Sequence, residues 1–336
     1  MTNKNTFKVG ITRDLLLADG TPCFDARALE VLNANPAIQW EWIPADLTEI
    51  TPDVAARYDA LHVNLPRVTA ASVARADCRV KIIARNGVGY DSVDVQALND
   101  KKIILTNTPI AVRRPVAVAT LTMLFALAGR LLKKNELTHT NRWNDRVAYM
   151  GQGLTTRTLG LVGAGSIGQE ILRLSRPFFK TMWAADPYAD ATAIRALGAD
   201  LLPLDDCLRR SDFVVVCCLL TDETRHLINA RRLALMQPSA YLINMGRGPI
   251  VDEKALISAL KSGAIAGAGL DVTEQEPIAA DNPLLGLDNV IVTPHALCWT
   301  DECFYDIACA ALQSIVDVSL GNRPQHVVKH VVNTGV

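Results

Sequence analysis

The stretch that decides the fold reads LGLVGAGSIGQEILRLSRPFFKTMWAAD over residues 159–186. Its apolar start, Leu159–Gly163, predicts a strand, and the amphipathic run after the glycines predicts a helix. Between them, Gly163, Gly165 and Gly168 form the pattern GxGxxG. The first glycine permits a tight turn, the second lets the backbone approach a pyrophosphate, and the third lets the helix pack against the strand. A strand, glycine loop and helix in this order predict a dinucleotide-binding fold.

Asp186 ends the next predicted strand, eighteen residues beyond Gly168. In a dinucleotide-binding unit, a carboxylate at this place accepts hydrogen bonds from the ribose hydroxyls and would repel a 2′-phosphate. No arginine follows within residues 186–190, so NAD is favoured over NADP. The alternative is that the glycines only form a tight turn and that Asp186 caps the chain that follows.

Short β-rich runs alternate with helical runs along the chain, which is the pattern of βαβ units around parallel sheets. The first series has a helical run at 26–33 and strand candidates at 8–11, 60–65, 81–84 and 103–107. The second series has six strand candidates, at 159–163, 182–186, 213–218, 241–245, 266–271 and 290–293. Six strands are the number expected of a complete doubly wound dinucleotide-binding domain, so the predicted fold class is α/β.

Two longer helices are predicted outside that alternation. Pro115 suits the first turn of a helix that is predicted to run to about Lys134. Its weakly polar part, Val116–Ala128, is shorter than the roughly 20 residues that cross a bilayer, so a buried helix and no membrane partner are predicted. The segment 301–320 carries apolar residues at helical spacing and is predicted to pack elsewhere in the molecule.

The composition is that of an ordinary globular protein of about two domains, with 336 residues of which 49% are hydrophobic. Its 34 Lys and Arg residues balance 35 Asp and Glu residues, which gives no electrostatic reason to expect a nucleic-acid partner. The eight cysteines contain no CxxC pair, so we predict free thiols in a reducing compartment and no metal site. The N-terminal MTNKNTFKVGITRD lacks the features of a signal peptide, and a cytoplasmic location is expected.

Arg247, Glu276 and His295 each follow a predicted strand of the second series. Because ligands bind outside the carboxyl ends of the strands in an open α/β sheet, the three are expected to converge on one cleft. Arginine suits the bidentate binding of a carboxylate, and histidine supplies a proton near neutral pH. Glu276 beside the imidazole would hold its orientation and favour its charged form. The set suits hydride transfer to a 2-oxo acid, although each residue alone is more often a surface or capping residue.

With the glycine loop, these residues make the chain resemble the D-2-hydroxyacid dehydrogenase family. The segments that carry the resemblance stand in the family's order, at 87–91, 107–109, 163–168, 221–229, 244–253, 269–277 and 293–295. The resemblance implies that Arg247 binds the substrate carboxylate and polarises the carbonyl. It also implies that His295 exchanges the proton and that Glu276 is its partner.

The resemblance further implies contacts with the substrate and the cofactor. Backbone amides of Gly87, Val88 and Gly89 would meet the carboxylate, unless the two glycines only form a turn. Asn86, just before them, would offer a hydrogen bond to a polar or hydroxylated substrate tail. Asp271 would hydrogen-bond the nicotinamide carboxamide. The full set of implied cofactor-binding residues is Thr120, Gly163, Gly165, Ser166, Ile167, Gly168, Asp186, Cys218, Leu219, Thr224, Met245, Asp271 and His295.

A discontinuous architecture follows from the same resemblance. Residues 1–108 plus 299–336 would form a flavodoxin-like substrate-binding domain, and a Rossmann NAD-binding domain of residues 109–298 would be inserted into it. The helix from Pro115 would help to form a homodimer, unless it is a purely internal core helix.

The implied activity is the NAD-dependent interconversion of a 2-oxo acid and a D-2-hydroxy acid. One alternative is an NAD(H)-sensing regulatory protein on the same scaffold. Another is formate or phosphite oxidation, of which Glu276 disfavours the formate branch because the histidine's partner there is typically a glutamine.

Several positions depart from the family's usual pattern. Cys217 and Leu219 stand where His and Pro are common, Val118 stands where Glu is usual, and Leu297 stands where Gly is frequent. Leu297 and Trp299 are close enough in sequence to the catalytic histidine to reshape the substrate pocket. No dense cationic cluster marks a phosphorylated substrate, so the sequence leaves the acid itself open.

Overall fold

The computed structural model describes residues 6–328, and every pair of neighbouring strands in its two sheets is parallel. The strands are β1 (Phe7–Ile11), β2 (Ile38–Trp42), β3 (Ala60–Val63), β4 (Ile82–Arg85), β5 (Ile104–Thr106), β6 (Thr158–Val162), β7 (Thr181–Ala185), β8 (Asp200–Leu201), β9 (Phe213–Val216), β10 (Tyr241–Asn244), β11 (Gly267–Leu270) and β12 (Val290–Val292). The helices are α1 (Glu30–Asn33), α2 (Pro52–Arg57), α3 (Val95–Asp100), α4 (Pro109–Gly129), α5 (Leu131–His139), α6 (Ser166–Ser175), α7 (Ala191–Ala196), α8 (Leu204–Arg210), α9 (Ala230–Leu233), α10 (Glu253–Ser262) and α11 (Asp301–Ser319). The predicted α/β class is confirmed.

The chain forms two units. Within the described residues, the first unit runs to Val112 and resumes at Trp299, and the second unit is Arg113–Cys298. The sequence prediction places these divisions after residue 108 and after residue 298. The first division differs from the prediction because α4 begins at Pro109 and continues through the boundary as one helix.

The first unit contains a sheet with the strand order β2-β1-β3-β4-β5. Successive residues of its central strands point to opposite faces, so Ile82 joins one apolar cluster and Ile83 joins another. Helix α11 covers the first of these faces with buried residues that include Ala311 and Ile315. The amphipathic pattern of residues 301–320 therefore predicts this helix and its buried side.

The second unit contains a sheet of seven strands with the order β12-β11-β10-β9-β6-β7-β8. The chain builds outward from β6 in one direction through β7 and β8, and then returns to β9 on the other side of β6. This reversal is the topological switch point of a doubly wound sheet, where ligands bind outside the carboxyl ends of the strands. The glycine loop leaves β6 at that point.

Helix α4 differs from its sequence prediction at both ends. It begins at Pro109, where proline suits the first helical position, and Pro115 lies inside the helix, where its missing N–H removes one backbone hydrogen bond. It ends at Gly129, and Arg130 adopts a left-handed conformation with φ of 50° before α5 begins. The single helix predicted from Pro115 to about Lys134 is therefore wrong.

The length of α4 also changes the expectation that its apolar stretch is too short to cross a bilayer. At 21 residues it is long and apolar enough, by length and composition, to cross a bilayer, so the expectation that it is too short is wrong. Of the most apolar 18-residue stretch of this helix, 44% is buried inside the protein. Ala117, Met123, Leu124 and Leu127 of this helix lie in the apolar core of the second unit. A core helix can therefore be as long and as apolar as a helix that crosses a membrane.

Candidate active site

The glycine loop between β6 and α6 has no room for a side chain at its two ends. Gly163 has φ of +95°, and a Cβ atom there would lie 2.6 Å from the backbone of Cys218. A Cβ atom at Gly168 would lie 2.3 Å from the carbonyl oxygen of Gly163. At Gly165, by contrast, a Cβ atom would have no neighbour within 4 Å. The loop therefore packs tightly against the protein at both ends and faces open space in the middle.

That open space lies at the start of α6. Gly165 occupies the N-cap position and provides no side chain to the amides of the first turn. Exposed amides at a helix N-terminus bind phosphate groups, because they combine free donors with the positive end of the helix dipole. Gly165, Ser166, Ile167 and Gly168 thus fit the pyrophosphate of a dinucleotide.

Asp186 lies beside the same loop, at the end of β7. Its Oδ2 accepts a hydrogen bond of 2.7 Å from the amide of Ala164, and its Oδ1 accepts one of 2.8 Å from the amide of Tyr188. Each carboxylate oxygen keeps a second lone pair, so the group can still accept bonds from ribose hydroxyls. The contact with Ala164 fixes the carboxylate to the glycine loop.

Other predicted cofactor residues have partners within their own segments. The hydroxyl of Thr224 donates to the carbonyl oxygen of Leu219 at 2.6 Å, and the hydroxyl of the buried Thr120 donates to that of Val116 at 2.8 Å. Met245 packs against the apolar core, and Cys218 contributes backbone at the glycine loop. The contacts that these residues would make with a cofactor stay predictions.

His295 and Glu276 form a hydrogen-bonded pair after β12 and β11. The Nδ1 of the ring lies 2.9 Å from Oε2 of the carboxylate, and each side chain is about two-fifths exposed. A carboxylate only accepts, so Nδ1 carries the hydrogen and Nε2 is the nitrogen that can exchange a proton with a ligand. The pairing that the sequence predicts is present in the structure.

The surroundings of Glu276 keep it ionised. Burial raises the pKa of its carboxyl group, but the hydrogen bond and charge of His295, the amide of Thr273 and the charge of Arg247 together lower that pKa below its ordinary value. The Thr273 amide donates to Glu276 Oε1 at 3.1 Å. A fixed carboxylate thus faces the imidazole at neutral pH.

Arg247 follows β10 and is placed by Asn244, whose positioning role the sequence analysis missed. The buried Asn244 side chain donates to the carbonyl oxygen of Arg247 at 2.9 Å and accepts from the amide of Gly246 at 3.1 Å. A Cβ atom at Gly248 would lie 1.9 Å from the carbonyl oxygen of Thr273, so the arginine loop touches the segment that carries Glu276. An asparagine at a strand end, two residues before a glycine, is the signal that would have indicated this turn, because asparagine side chains bond the backbone two residues on.

Asp271 holds the loop that carries His295. Its Oδ1 accepts a bond of 2.6 Å from the hydroxyl of Thr293 and bonds of 3.1 Å from the amides of both Ala296 and Leu297. His295, between these donors, has φ of 54°, a conformation that is unfavourable for a residue with a side chain. The structure therefore gives Asp271 a positioning role, and its implied contact with the nicotinamide stays a prediction.

The predicted carboxylate-binding loop, residues 87–89, lies in the first unit. The amide of Gly87, at φ of +107°, donates to the hydroxyl of Thr108 at 3.1 Å, and the side chain of Asn107 donates to the carbonyl oxygen of Val88 at 2.9 Å. The Gly87 amide thus serves the loop itself, whereas Val88 and Gly89 are partly exposed. Asn86 before them is 8% exposed and hydrogen-bonded on both sides.

Comparison with known proteins identifies the family. Residues 121–296 match the model of the D-isomer specific 2-hydroxyacid dehydrogenase NAD-binding domain. The chain belongs to this family. A glyoxylate reductase of Thermococcus onnurineus is 39% identical over 243 residues, which cover 70% of this chain and 72% of the relative. A glyoxylate reductase of Korarchaeum cryptofilum is 36% identical over 279 residues, which cover 82% of this chain and 83% of the relative.

A solved structure agrees with this assignment. The TT0316 protein of Thermus thermophilus is 29% identical, with a TM-score of 0.83 over 96% of this chain and 100% of that one. The predicted family is confirmed, and with it the reaction class. This D-2-hydroxyacid dehydrogenase is an NAD-dependent oxidoreductase of 2-oxo and 2-hydroxy acids.

Proposed function

We propose that this dehydrogenase reduces a small 2-oxo acid with NADH, and that Arg247, Glu276 and His295 carry the reaction. The observation that supports the proposal most directly is the 2.9 Å contact between His295 Nδ1 and Glu276 Oε2. It fixes the tautomer of the ring, orients Nε2 as the proton donor and places a counter-charge behind it. The positive charge of Arg247 also helps to lower the pKa of the Glu276 carboxyl group, which supports a shared role for the three residues.

The three side chains have distinct roles in the proposed reaction. NADH, when bound, supplies the hydride that adds to the carbonyl carbon. The guanidinium of Arg247 binds the carboxylate of the acid and draws electron density toward the carbonyl oxygen. As the C=O bond becomes a single bond, that oxygen takes the proton from His295 Nε2 and the product is a 2-hydroxy acid. In the oxidative direction the neutral imidazole accepts the proton, and Glu276 stabilises the imidazolium that forms.

Two finer features belong to the same proposal. NAD is preferred over NADP, because the Asp186 carboxylate beside the glycine loop would repel a 2′-phosphate. Glyoxylate is the first acid to test, because the two relatives described above are glyoxylate reductases.

We further propose that the protein is a cytoplasmic homodimer without nucleic-acid or membrane partners. Large apolar side chains stand exposed along α4, α5 and the segments near them, and exposed apolar patches mark interaction surfaces. They include Val118, Phe125, Leu132, Trp143, Val147, Met150 and Phe178. All eight cysteines are free, which supports a reducing compartment.

A spectrophotometric assay tests the proposed activity. The absorbance of NADH, and separately of NADPH, is followed with glyoxylate, pyruvate, hydroxypyruvate and larger 2-oxo acids. We expect NADH to be consumed and NADPH to be used more slowly. The variant His295→Ala should lower kcat about 10³-fold and leave NADH binding nearly unchanged, because it removes a general acid.

The control is His139→Ala, which removes an exposed histidine of α5 and should keep full activity. Light scattering on the same samples tests the dimer. A wild-type protein that binds NADH but turns over no acid in the panel would contradict the proposal and favour a role in sensing the cofactor.

A further inference from the structure

A second histidine lies next to the loops that carry the catalytic residues of the second unit. His226 belongs to the loop after β9, and its amide donates to the carbonyl oxygen of Pro249 at 2.8 Å. Pro249 is part of the arginine loop, residues 245–250, which touches Thr273 through Gly248. The loop of His226, the arginine loop and the segment that carries Glu276 are therefore joined to one another.

The side chain of His226 also contacts the segment of Glu276 directly. Its Nε2 lies 2.7 Å from Oε1 of Glu274, and the two side chains are 47% and 32% exposed. A carboxylate only accepts, so Nε2 of His226 is the donor. An ion pair that is this exposed contributes little to stability. The contact therefore points to a role other than holding the fold together.

Glu274 is held from another side by the first turn of α10. The amide of Glu274 donates to Glu253 Oε2 at 3.0 Å, and the amide of Glu253 donates to Glu274 Oε1 at 3.3 Å. The second oxygen of Glu253, Oε1, accepts from the side chain of Asn282 at 2.7 Å. Both the backbone and the carboxylate of Glu274 thus have fixed partners.

The four residues from Thr273 to Glu276 form a turn with its own hydrogen bonds. The amide of Thr273 donates to Glu276 Oε1 at 3.1 Å, and its hydroxyl donates to the carbonyl oxygen of Gln275 at 2.8 Å. Because these bonds connect the two ends of the turn, a displacement of Glu274 also displaces the carboxylate of Glu276. That carboxylate is the one that orients the imidazole of His295.

We propose that His226 is a positioning residue for the reduction, and that it fixes Glu276, and through it His295, by its contact with Glu274. This inference rests on the proposed function, in which Glu276 sets the tautomer of His295. It requires no contact of His226 with the substrate or the cofactor. A catalytic group that is misplaced by about 1 Å can lower the rate by up to about a hundredfold, so we expect an effect on kcat.

Two amide variants of His226 test the contact. The residue has φ of 51°, a left-handed conformation that asparagine adopts more readily than glutamine does. Glutamine has one methylene group more, so its amide can reach Glu274, whereas the amide of asparagine is too short. If only the backbone matters, the asparagine variant is the better enzyme, and if the contact matters, the glutamine variant is.

The measurement is kcat with NADH and the 2-oxo acid that the wild type reduces fastest. We expect kcat to fall about tenfold in His226→Asn and to stay within about threefold of the wild type in His226→Gln, with the Kd of NADH unchanged in both. Glu274→Ala should lower kcat at least as much as His226→Asn does, and it carries the test if His226→Asn does not fold. The control Arg231→Ala removes one partner of an exposed ion pair with Asp205 in the same unit and should keep full activity.

A double-mutant comparison separates positioning from general damage. In the background Glu276→Ala, the carboxylate that His226 is proposed to position is absent. His226→Asn and His226→Gln should therefore have equal kcat in that background, because two residues that act through one group are not additive.

The outcomes are distinguishable. Equal kcat in the two amide variants of the otherwise wild-type protein, or a higher kcat in His226→Asn, would overturn the proposal. A weaker affinity for NADH at constant kcat would overturn it as well and assign His226 to the cofactor, and so would a difference between the variants that persists in Glu276→Ala. A wild type that reduces no 2-oxo acid at all would instead overturn the proposed function, and this inference with it.

Discussion

The buried His62 makes the stability of the first unit depend on pH. Burial lowers the pKa of its ring from 6.5 to about 4; the hydrogen bond with Asn86 and the charge of Asp14 act in the opposite direction, and the charge of Arg85 lowers the pKa further. The unfolded chain, with a pKa near 6.5, therefore binds a proton more readily than the folded one. The stability that the neutral ring provides is complete above pH 6.5 and is lost as the pH falls toward 4.

The size of the effect follows from these two pKa values. Linkage gives a loss of about 2 kcal/mol in the free energy of unfolding between pH 7 and pH 5. The variant His62→Gln does not titrate in this range, and its amide can still donate to Asn86. Between pH 7 and pH 5, the variant should therefore lose about 2 kcal/mol less of its free energy of unfolding than the wild type loses.

Hydrogen exchange followed by mass spectrometry measures this difference within one unit. Peptides from β1, β3 and β4 report the opening free energy of the first sheet at pH 7 and pH 5, in the wild type and in His62→Gln. Taking the difference between the two proteins removes the contributions of other titrating groups. If both proteins lose the same stability between the two pH values, the ring is not buried in its neutral form and the reasoning is refuted.

Four further substitutions test the second unit. Glu276→Gln removes the carboxylate that accepts from His295 Nδ1, so kcat of NADH-dependent reduction should fall at least about tenfold while the Kd of NADH stays unchanged. Asp271→Ala should lower kcat at least about tenfold and leave the Kd of NADH unchanged, since it releases the loop around His295; a weaker NADH affinity at constant kcat would favour a nicotinamide contact instead. Gly165→Ala should keep the Tm and weaken NADH binding, whereas Gly168→Ala should lower the Tm by several degrees in a thermal melt; equal effects on both would contradict the geometry of the loop.

The second sheet is the part of the fold that the sequence predicts best. Its central strands are buried on both faces, so they appear as continuous apolar runs such as Phe213–Val216. All six predicted strands of this unit are present, each with ends within a few residues of the prediction. The glycine pattern is also reliable, because Gly163 and Gly168 occupy backbone positions that exclude a Cβ atom.

The elements that the sequence analysis missed lie at edges and boundaries. β2 is an edge strand whose burial is partial along most of its length, and β8 has only two residues, so neither has a pronounced apolar run. At the start of α4, two prolines compete for the first helical position, and Pro109 rather than Pro115 takes it. Propensity alone does not choose between them, because both suit that position.

For the candidate site, the sequence predicts which residues lie at the edge of the sheet but not how their side chains are oriented. The position of a residue after a strand predicts the edge of the sheet at which it lies, and this principle placed Arg247, Glu276 and His295 on the ends of β10, β11 and β12. It does not predict the direction in which a side chain points. Asp271 shares that edge, yet its carboxylate turns toward the amides of its own loop.

The reason for that orientation is the backbone of His295. Its left-handed conformation is unfavourable by about 1 kcal/mol, so the loop needs partners that hold it in place. A buried carboxylate needs donors in turn, and the amides of Ala296 and Leu297 supply them. The two requirements satisfy each other only in three dimensions, which is why the sequence did not indicate that Asp271 supports the loop of His295.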